Sequence, residues 1–286
     1  MTPHVFVAGP ASWNTLVFLD SLPESRSHMV RASGHATAIG GTSAGKALHL
    51  ALLGVRVTLR TLVGTDALAD RILDRLDRDG IEVLAETAPG PSEQHLNLMT
   101  RAGERLSIYL EVPELGPERH EERTREALRG CDVAVIDLAE HSRPLLAEAR
   151  RLGAQVWCDL HDYDGLSGFH REFVDSADVL FLNDDGLRDP LSFMRQRVRA
   201  GTRVVVCTQG ADGATAVTAE GTLHVPAAPV DDVLDTNGAG DGFLAGFLRS
   251  HLEGRDLARC MEDGHAQAAS ALQVHDLAPE DPSSAQ

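Results

Sequence analysis

Asp235-Thr236-Asn237-Gly238-Ala239-Gly240-Asp241 runs directly into Gly242-Phe243-Leu244-Ala245-Gly246-Phe247-Leu248, a polar turn bearing two glycines that opens an apolar helical segment. The glycines let the backbone turn tightly and point successive N–H groups outward, and Asp241 falls in the first turn of the helix. That arrangement suits phosphoryl transfer. Free N–H groups and the positive end of the helix dipole hold charge developing on a transferred phosphoryl group, while a carboxylate takes a proton from an attacking hydroxyl. A turn that merely caps a core helix is the other reading, and these seven residues alone do not choose between the two.

Upstream of this run, short apolar stretches alternate with longer amphipathic ones, the pattern of a mainly parallel sheet covered by helices on both faces. Strands are predicted over 5–8, 56–61, 133–137, 155–159, 179–182 and 203–208. Helices are predicted over 44–53, 67–79, 118–128, 144–151 and 189–200, then from 239 to about 252 and from 255 to about 274. Two places break the alternation. Residues 28–38, and the pair 94–100 and 105–110, alternate polar and apolar residues around a hairpin turn, which predicts a small separate sheet. A lid over the ends of the main strands is favoured over an extension of the main sheet, because strand ends are where α/β proteins build pockets. The expectation is a three-layer α/β/α domain over 1–277 with lid segments at about 10–38 and 92–112, followed by a disordered tail over 278–286 rich in proline, serine and acid.

Composition narrows the function. A hydrophobic content of 43% is globular, and the longest apolar runs, such as Val204-Val205-Val206-Cys207, are strand-sized. Met1-Thr2-Pro3-His4 leads into a strand without the basic region, long apolar stretch or cleavage site of a leader, so a cytoplasmic location is expected. Cys131, Cys158, Cys207 and Cys260 lie far apart without zinc-site spacing and read as buried, reduced thiols. A formal net charge of −17 repels nucleic acid and anionic membrane surfaces at long range, and an anionic cofactor would need local compensation. Lys46 is the one lysine.

Residues 40–47, GGTSAGKA, fit a P-loop except at the last position, where Ala47 replaces the hydroxyl that binds magnesium. The preceding segment is weakly apolar for a buried strand, and no apolar run ending in a Walker-B aspartate stands out beyond Asp137 and Asp159, so a P-loop enzyme is disfavoured. For Gly40 and Gly41, close helix packing and close approach to a hydroxylated ligand both remain open.

Jointly these segments resemble the ribokinase-like (PfkB) family of carbohydrate and nucleoside kinases, from about residue 5 to 274. DTNGAGD matches that family's C-terminal signature. Thr208-Gln209-Gly210-Ala211-Asp212-Gly213 resembles its nucleotide loop, residues 40–54 resemble its N-terminal glycine-pair signature, and Val63-Gly64-Thr65-Asp66 resembles its V-G-x-D segment. The resemblance implies an ATP- and Mg2+-dependent kinase acting on a hydroxymethyl group of a small sugar. In it Asp241 is the catalytic base, and Gly238, Ala239 and Gly240 supply the anion hole. Asn183, Thr208, Gly210, Gly213, Asn237 and His265 line the nucleotide. Asn14, Gly40, Gly41, Gly45 and Lys46 line the acceptor with Asp241.

Departures fall mainly on the acceptor side. Asn14 stands where the family has an aspartate, and Gly45 where it has an asparagine. Lys46, next to Gly45, either substitutes for that asparagine or is a solvated charge near a helix start, the second reading being favoured. In Asn183-Asp184-Asp185-Gly186 the family's N-x-x-E glutamate is missing; Asp184 or Asp185 holds the magnesium-bound water from one position off, or the cluster is only a turn. His265 either packs on adenine or is an ordinary helix-surface histidine, and His161, Asp162 and Asp164 face the pocket or form a polar turn. The Gly-Ala segment that closes the family's monovalent-cation site is absent after Val274, which argues against potassium activation. Two rivals follow: a nucleoside kinase with Trp13 as the wall for the base, and a non-catalytic member that binds its ligand as a regulator. The lid strands also offer edges for a homodimer.

Overall fold

Strands buried on both faces read as unbroken apolar runs, and β1 (His4–Ala8) shows why: Val5 and Val7 enter one core while Phe6 and Ala8 enter the other. The computed structural model describes residues 2–100, 103–116, 118–230, 233–274 and 276–279. With β1, the main sheet contains β4 (Arg56–Val63), β5 (Ile81–Thr87), β8 (Val133–Ile136), β9 (Val156–Asp159), β10 (Val179–Asn183), β11 (Val204–Thr208), β12 (Ala214–Thr218) and β13 (Gly221–Val225). Their order is β13-β12-β11-β10-β9-β8-β1-β4-β5. All neighbours from β5 to β11 pair in parallel, and β12 and β13 add an antiparallel edge.

Helices cover both faces. Leu50, Ile72, Phe247 and Met261 pack into one core from α1 (Thr42–Leu52), α2 (Ala67–Leu76), α7 (Ala239–Leu252) and α8 (Leu257–Ala271). On the other face lie Leu128, Leu146, Phe173 and Met194 from α3 (Glu121–Gly130), α4 (Pro144–Leu152), α5 (Arg171–Ser176) and α6 (Pro190–Arg199). Strand order reverses at β1, which lies between β4 and β8, so a crevice opens at the carboxyl ends of these strands.

A second sheet of β2 (Ser12–Leu19), β3 (Gly34–Gly40), β6 (Gln94–Thr100) and β7 (Arg105–Glu111) runs in the order β3-β2-β6-β7. Its attachment uses the Val63-Gly64-Thr65-Asp66 segment. A side chain at Gly64 would collide with the backbone of residues 90–92, and Asp66 both caps α2 through Ala69 N–H and accepts the Ser92 hydroxyl.

Several expectations need correction. The strand expected over 28–38 begins at Gly34 and runs to Gly40, because Ser33 closes the β2–β3 ladder through its N–H to Phe18 O and residues 28–33 lie exposed. Strands β2, β5, β12 and β13 lie outside the predicted set: β5, β12 and β13 mix apolar with polar residues, and β2 carries the apolar run Leu16-Val17-Phe18-Leu19 after a polar start. The tail does not begin at 278: Leu277 and Ala278 are buried, and His49 Nε2 bonds to Leu277 O at 2.8 Å. Residues 280–286 and the lid-turn residues 101–102 lie outside the described residues. Cys158, Cys207 and Cys260 are buried free thiols, whereas Cys131 is half-buried. Among the described residues no helix is long and apolar enough to cross a membrane.

Candidate active site

The carboxyl edge of the sheet collects polar groups: Asp137 just beyond β8, Asp159 ending β9, and Asn183 and Thr208 paired across β10 and β11. Above them stands the start of α7. Gly238 is its N-cap at φ 80°, the left-handed region, and a side chain there would strike the Leu277 carbonyl oxygen, so glycine is required on two counts. Asn237 is buried and its N–H donates to Asp235 Oδ1 at 2.8 Å, fixing the turn. The N–H groups of the first helical turn have no intrahelical partner. Gly240 is exposed and Asp241 is buried beside it.

Lys46 is not a solvated charge. Long helical side chains reach back toward the N-terminus, and from the second turn of α1 Lys46 reaches over Thr42 to the strand ends, fully buried. Its Nζ lies 2.9 Å from Asp241 Oδ1, 3.1 Å from Asp159 Oδ2 and 3.2 Å from Asp137 Oδ1. An isolated buried ammonium would be prohibitive, so burial alone favours a neutral lysine. Asp137, Asp241 and Asp159 outweigh it and hold the ammonium above its ordinary pKa. Burial pushes the Asp137 carboxyl up, with Lys46 opposing, whereas Asp159 overcomes its burial through His161 and Lys46 and falls to about 2. A P-loop lysine must reach phosphates; this one is committed to carboxylates, which removes that reading.

Gly45 explains where Asp241 sits. A Cβ at Gly45 would lie 2.5 Å from Asp241 Oδ2, so the carboxylate occupies the space a side chain would take. Asp137 is anchored separately: Ser43 Oγ donates to its Oδ2 at 2.6 Å, and any side chain at Gly9 would strike that pair.

The lid supplies the opposite wall. Asn14 is buried on β2, its Oδ1 accepting from Ser12 Oγ at 2.8 Å, and Gly40 is bare because Asn14 fills the space beside it. Gly41, at φ 91°, packs on the Pro10 carbonyl as the N-cap of α1. Asn14 pairs with His95, and His95 with Tyr109, so these three share a face. His95 bonds Glu93 at 2.9 Å and lies 4.1 Å from the exposed Tyr109 ring. Trp13 points the other way. It packs on the main core with the Arg71 guanidinium over its ring at 5.7 Å, so it is not a pocket wall, because neighbouring strand residues face opposite sides.

At the other end of the cleft, Thr208 precedes the turn holding Gly210 (φ 54°) and Gly213 (φ 102°), and a side chain at Gly213 would strike Val225 O. His265 bonds that carbonyl at 3.2 Å and meets Phe243 edge-on at 5.0 Å. Being buried, it is not a helix-surface histidine. Asp184 and Asp185 are exposed, with Asp185 N–H donating to Asn183 Oδ1 at 3.1 Å. Gly186 cannot be the family's glutamate as the backbone stands, since a side chain would collide with the carbonyls of Asp162 and Tyr163. Asp164 accepts the N–H groups of Leu166 and Ser167, a turn role, while the His161 N–H donates to Asp159 Oδ1 at 3.1 Å. Among the described residues no three His, Cys, Asp or Glu side chains converge as a metal site.

Sequence reasoning missed Thr42, which donates to Asp241, and weighed Asp137 and Asp159 only as Walker-B carboxylates and not as partners of Lys46. For the two aspartates a signal existed, since each closes a buried apolar strand, Val-Ala-Val-Ile-Asp and Val-Trp-Cys-Asp.

A parallel sheet with a separate small sheet over its carboxyl ends, and a glycine turn presenting a carboxylate, defines a ribokinase-type phosphotransferase fold. The pfkB family carbohydrate kinase profile matches residues 10–283, and the chain belongs to that family. It is 28% identical over 288 residues to acarbose 7(IV)-phosphotransferase of Actinoplanes sp., covering 96% of this chain and 94% of that protein. It is 31% identical over 284 residues to the ATP-dependent ribose-1-phosphate kinase of Halopiger xanaduensis, covering 94% and 91%. Its fold is similar to that of a microbiome-derived acarbose kinase, with a TM-score of 0.81, 26% identity, and coverage of 96% and 94%. The protein is a kinase of sugars or nucleosides.

Proposed function

We propose that the protein transfers the terminal phosphoryl group of ATP to a hydroxymethyl group of a small, uncharged sugar. Asp241 accepts the proton of the attacking hydroxyl, and the N–H groups of Gly238, Ala239, Gly240 and Asp241 hold the charge that develops. One observation carries this reading: Asp241 stands in the first turn of α7, behind a left-handed Gly238, at the carboxyl ends of the strands. The nucleotide then lies along Asn183, Thr208, Gly210, Gly213 and Asn237, with His265 behind it. An uncharged acceptor fits because the cation nearest Asp241, Lys46, is already bonded to three carboxylates and has none of its charge to spare for a substrate anion.

Two exposed carboxylates, Asp184 and Asp185, suit a magnesium ion that arrives on ATP and keeps most of its water shell. When bound, the ion neutralises phosphate charge. Potassium has no part in this reading. A homodimer through β7, an edge strand of the small sheet exposed along its length, is proposed as the assembly, and sedimentation velocity showing a monomer would reject it.

A nucleoside acceptor is the second reading, favoured by the exposed Tyr109 ring on the face that carries Asn14. The deciding experiment is an ATP-consumption screen over pentoses, hexoses and nucleosides with Asp241→Asn as background. Turnover with sugars and none with nucleosides supports the first reading. No acceptor rising above the variant's background sinks both for the compounds tested.

A further inference from the structure

Among 26 basic residues Lys46 alone is a lysine, and it is fully buried in carboxylates from three elements. An arginine presents a wide planar fork, whereas an ammonium is a compact point charge with three rotatable donors, which is what convergence from three directions requires. Each carboxylate is also held by a second group. Asp137 Oδ2 accepts from Ser43, Asp159 Oδ1 accepts from the His161 N–H, and Asp241 Oδ1 accepts from Thr42 Oγ1 at 2.5 Å. Both donors to Asp241 therefore fall on Oδ1, since the Lys46 hydrogen bond at 2.9 Å goes there too. Its Oδ2 leans over the bare backbone of Gly45.

We propose that Lys46 and Gly45 form one positioning device for the base, Lys46 with Thr42 clamping Asp241 Oδ1 and the side-chain-free Gly45 leaving Oδ2 as the oxygen that meets the acceptor hydroxyl. This rests on Asp241 being the base. In the step, the acceptor O–H bond breaks and its proton passes to Oδ2. The oxygen bonds to the terminal phosphorus of ATP as the phosphoanhydride bond breaks and ADP departs with that electron pair. Lys46 stays protonated throughout and is not consumed. Orientation of this kind acts on turnover rather than on nucleotide binding.

A chain with one lysine makes the test direct. In ligand-free wild-type protein carrying 15N-lysine and 13C-aspartate, one ammonium signal is expected with a hydrogen-bond scalar coupling to the Asp241 carboxyl carbon; a resolved signal without that coupling overturns the proposal. For turnover, Lys46→Met is expected to lower kcat by about 10² while leaving the ATP Kd within about twofold. In Lys46→Ala, propylammonium, which replaces the missing carbons and ammonium, is expected to raise kcat by roughly tenfold or more, and n-propanol is not. A folded Lys46→Met with unchanged or raised kcat, or equal rescue by propanol, overturns the proposal. Should neither variant fold, the wild-type coupling still decides. A wild-type protein that turns over no acceptor counts against the kinase reading of this site, whereas the Lys46–Asp241 contact is read without any acceptor.

Discussion

The two halves of the cleft are built from different material. At the end proposed for the nucleotide the shape comes from backbone: Gly210, Gly213 and Gly238 adopt φ values of 54°, 102° and 80°, and side chains at Gly213 and Gly238 would strike carbonyl oxygens. The end proposed for the acceptor is built largely from side chains, with Lys46 among Asp137, Asp159 and Asp241 and with Asn14 and His95 on the lid. On the proposed function, backbone geometry fixes where phosphates lie whatever the acceptor is, and side chains decide which acceptor reaches them. Variation is therefore cheap in one half and costly in the other.

The sharpest way to break this division is at the residue the halves share. Asp241→Asn removes the proposed proton acceptor and keeps the shape, so kcat is expected to fall by about 10² to 10⁴ with ATP affinity nearly unchanged. Equilibrium binding of ATP beside steady-state turnover reads both. If ATP affinity falls as far as kcat, Asp241 belongs to the nucleotide half.

Two glycine-to-alanine changes come next. At Gly238 the added methyl meets the Leu277 carbonyl in a left-handed conformation, so Gly238→Ala is expected to cost roughly 3 kcal/mol of stability. At Gly45, within α1, alanine is the better helix former by about 1 kcal/mol, but the methyl meets the Asp241 Oδ2, Cγ and Cβ at 2.5, 3.0 and 3.1 Å and must displace a carboxylate held by Lys46 and Thr42. Gly45→Ala is therefore expected to lower kcat with a smaller loss of Tm than Gly238→Ala, the gain in helix propensity offsetting part of the cost of moving Asp241. Thermal melts and initial rates on the two proteins test the contrast, and equal losses of stability would erase it.

The same contrast explains what was legible in the sequence. Local turn chemistry is written in consecutive residues, so Asp235 to Asp241 and Thr208 to Gly213 could be read directly, and α7 begins and ends where the pattern put it. Side-chain clusters depend on partners distant in the chain. Lys46 meets Asp241, 195 residues on, and its own neighbourhood, Gly45-Lys46-Ala47, looks like any helix start. Trp13 beside Asn14 looked like a pocket residue because adjacency in sequence was taken for adjacency in space, which the alternation of β2 forbids. Within the lid segment 10–38 the pattern passes over β2 and starts β3 too early for a related reason: which strand pairs with which is set across the sheet and not along the chain.

Burial of charge beside the acceptor half also sets a pH limit. His141, four residues past Asp137, is buried with neither ring nitrogen hydrogen-bonded, and burial, then Arg60, pull its pKa from 6.5 to about 4. The folded protein thus keeps it neutral where the unfolded chain would protonate it, so its contribution is fully present above 6.5 and is lost as pH falls toward 4. Going from neutrality to about pH 5 is expected to cost about 2 kcal/mol from this group alone. Denaturant melts of wild type and His141→Phe across that range check it: the variant's slope with pH should be shallower, and parallel slopes would show that His141 does not titrate differently on folding.

The smallest effect is expected at Trp13, and it tests where the acceptor half stops. The indole lies on the core side of β2 under Arg71, one residue from Asn14 but on the opposite face. Trp13→Phe retains most of that packing, so the acceptor KM should change by no more than about twofold, with some loss of Tm. Asn14→Ala, in the same strand, should raise the acceptor KM by about tenfold, because a buried amide that can both donate and accept is removed from the pocket wall. Michaelis curves for the two variants with one acceptor make the comparison. A Trp13 variant whose KM moves as far as that of the Asn14 variant would mean the ligand contacts both faces of β2, and the pocket would then extend past the lid toward α2, where an aromatic wall for a nucleoside base becomes possible again.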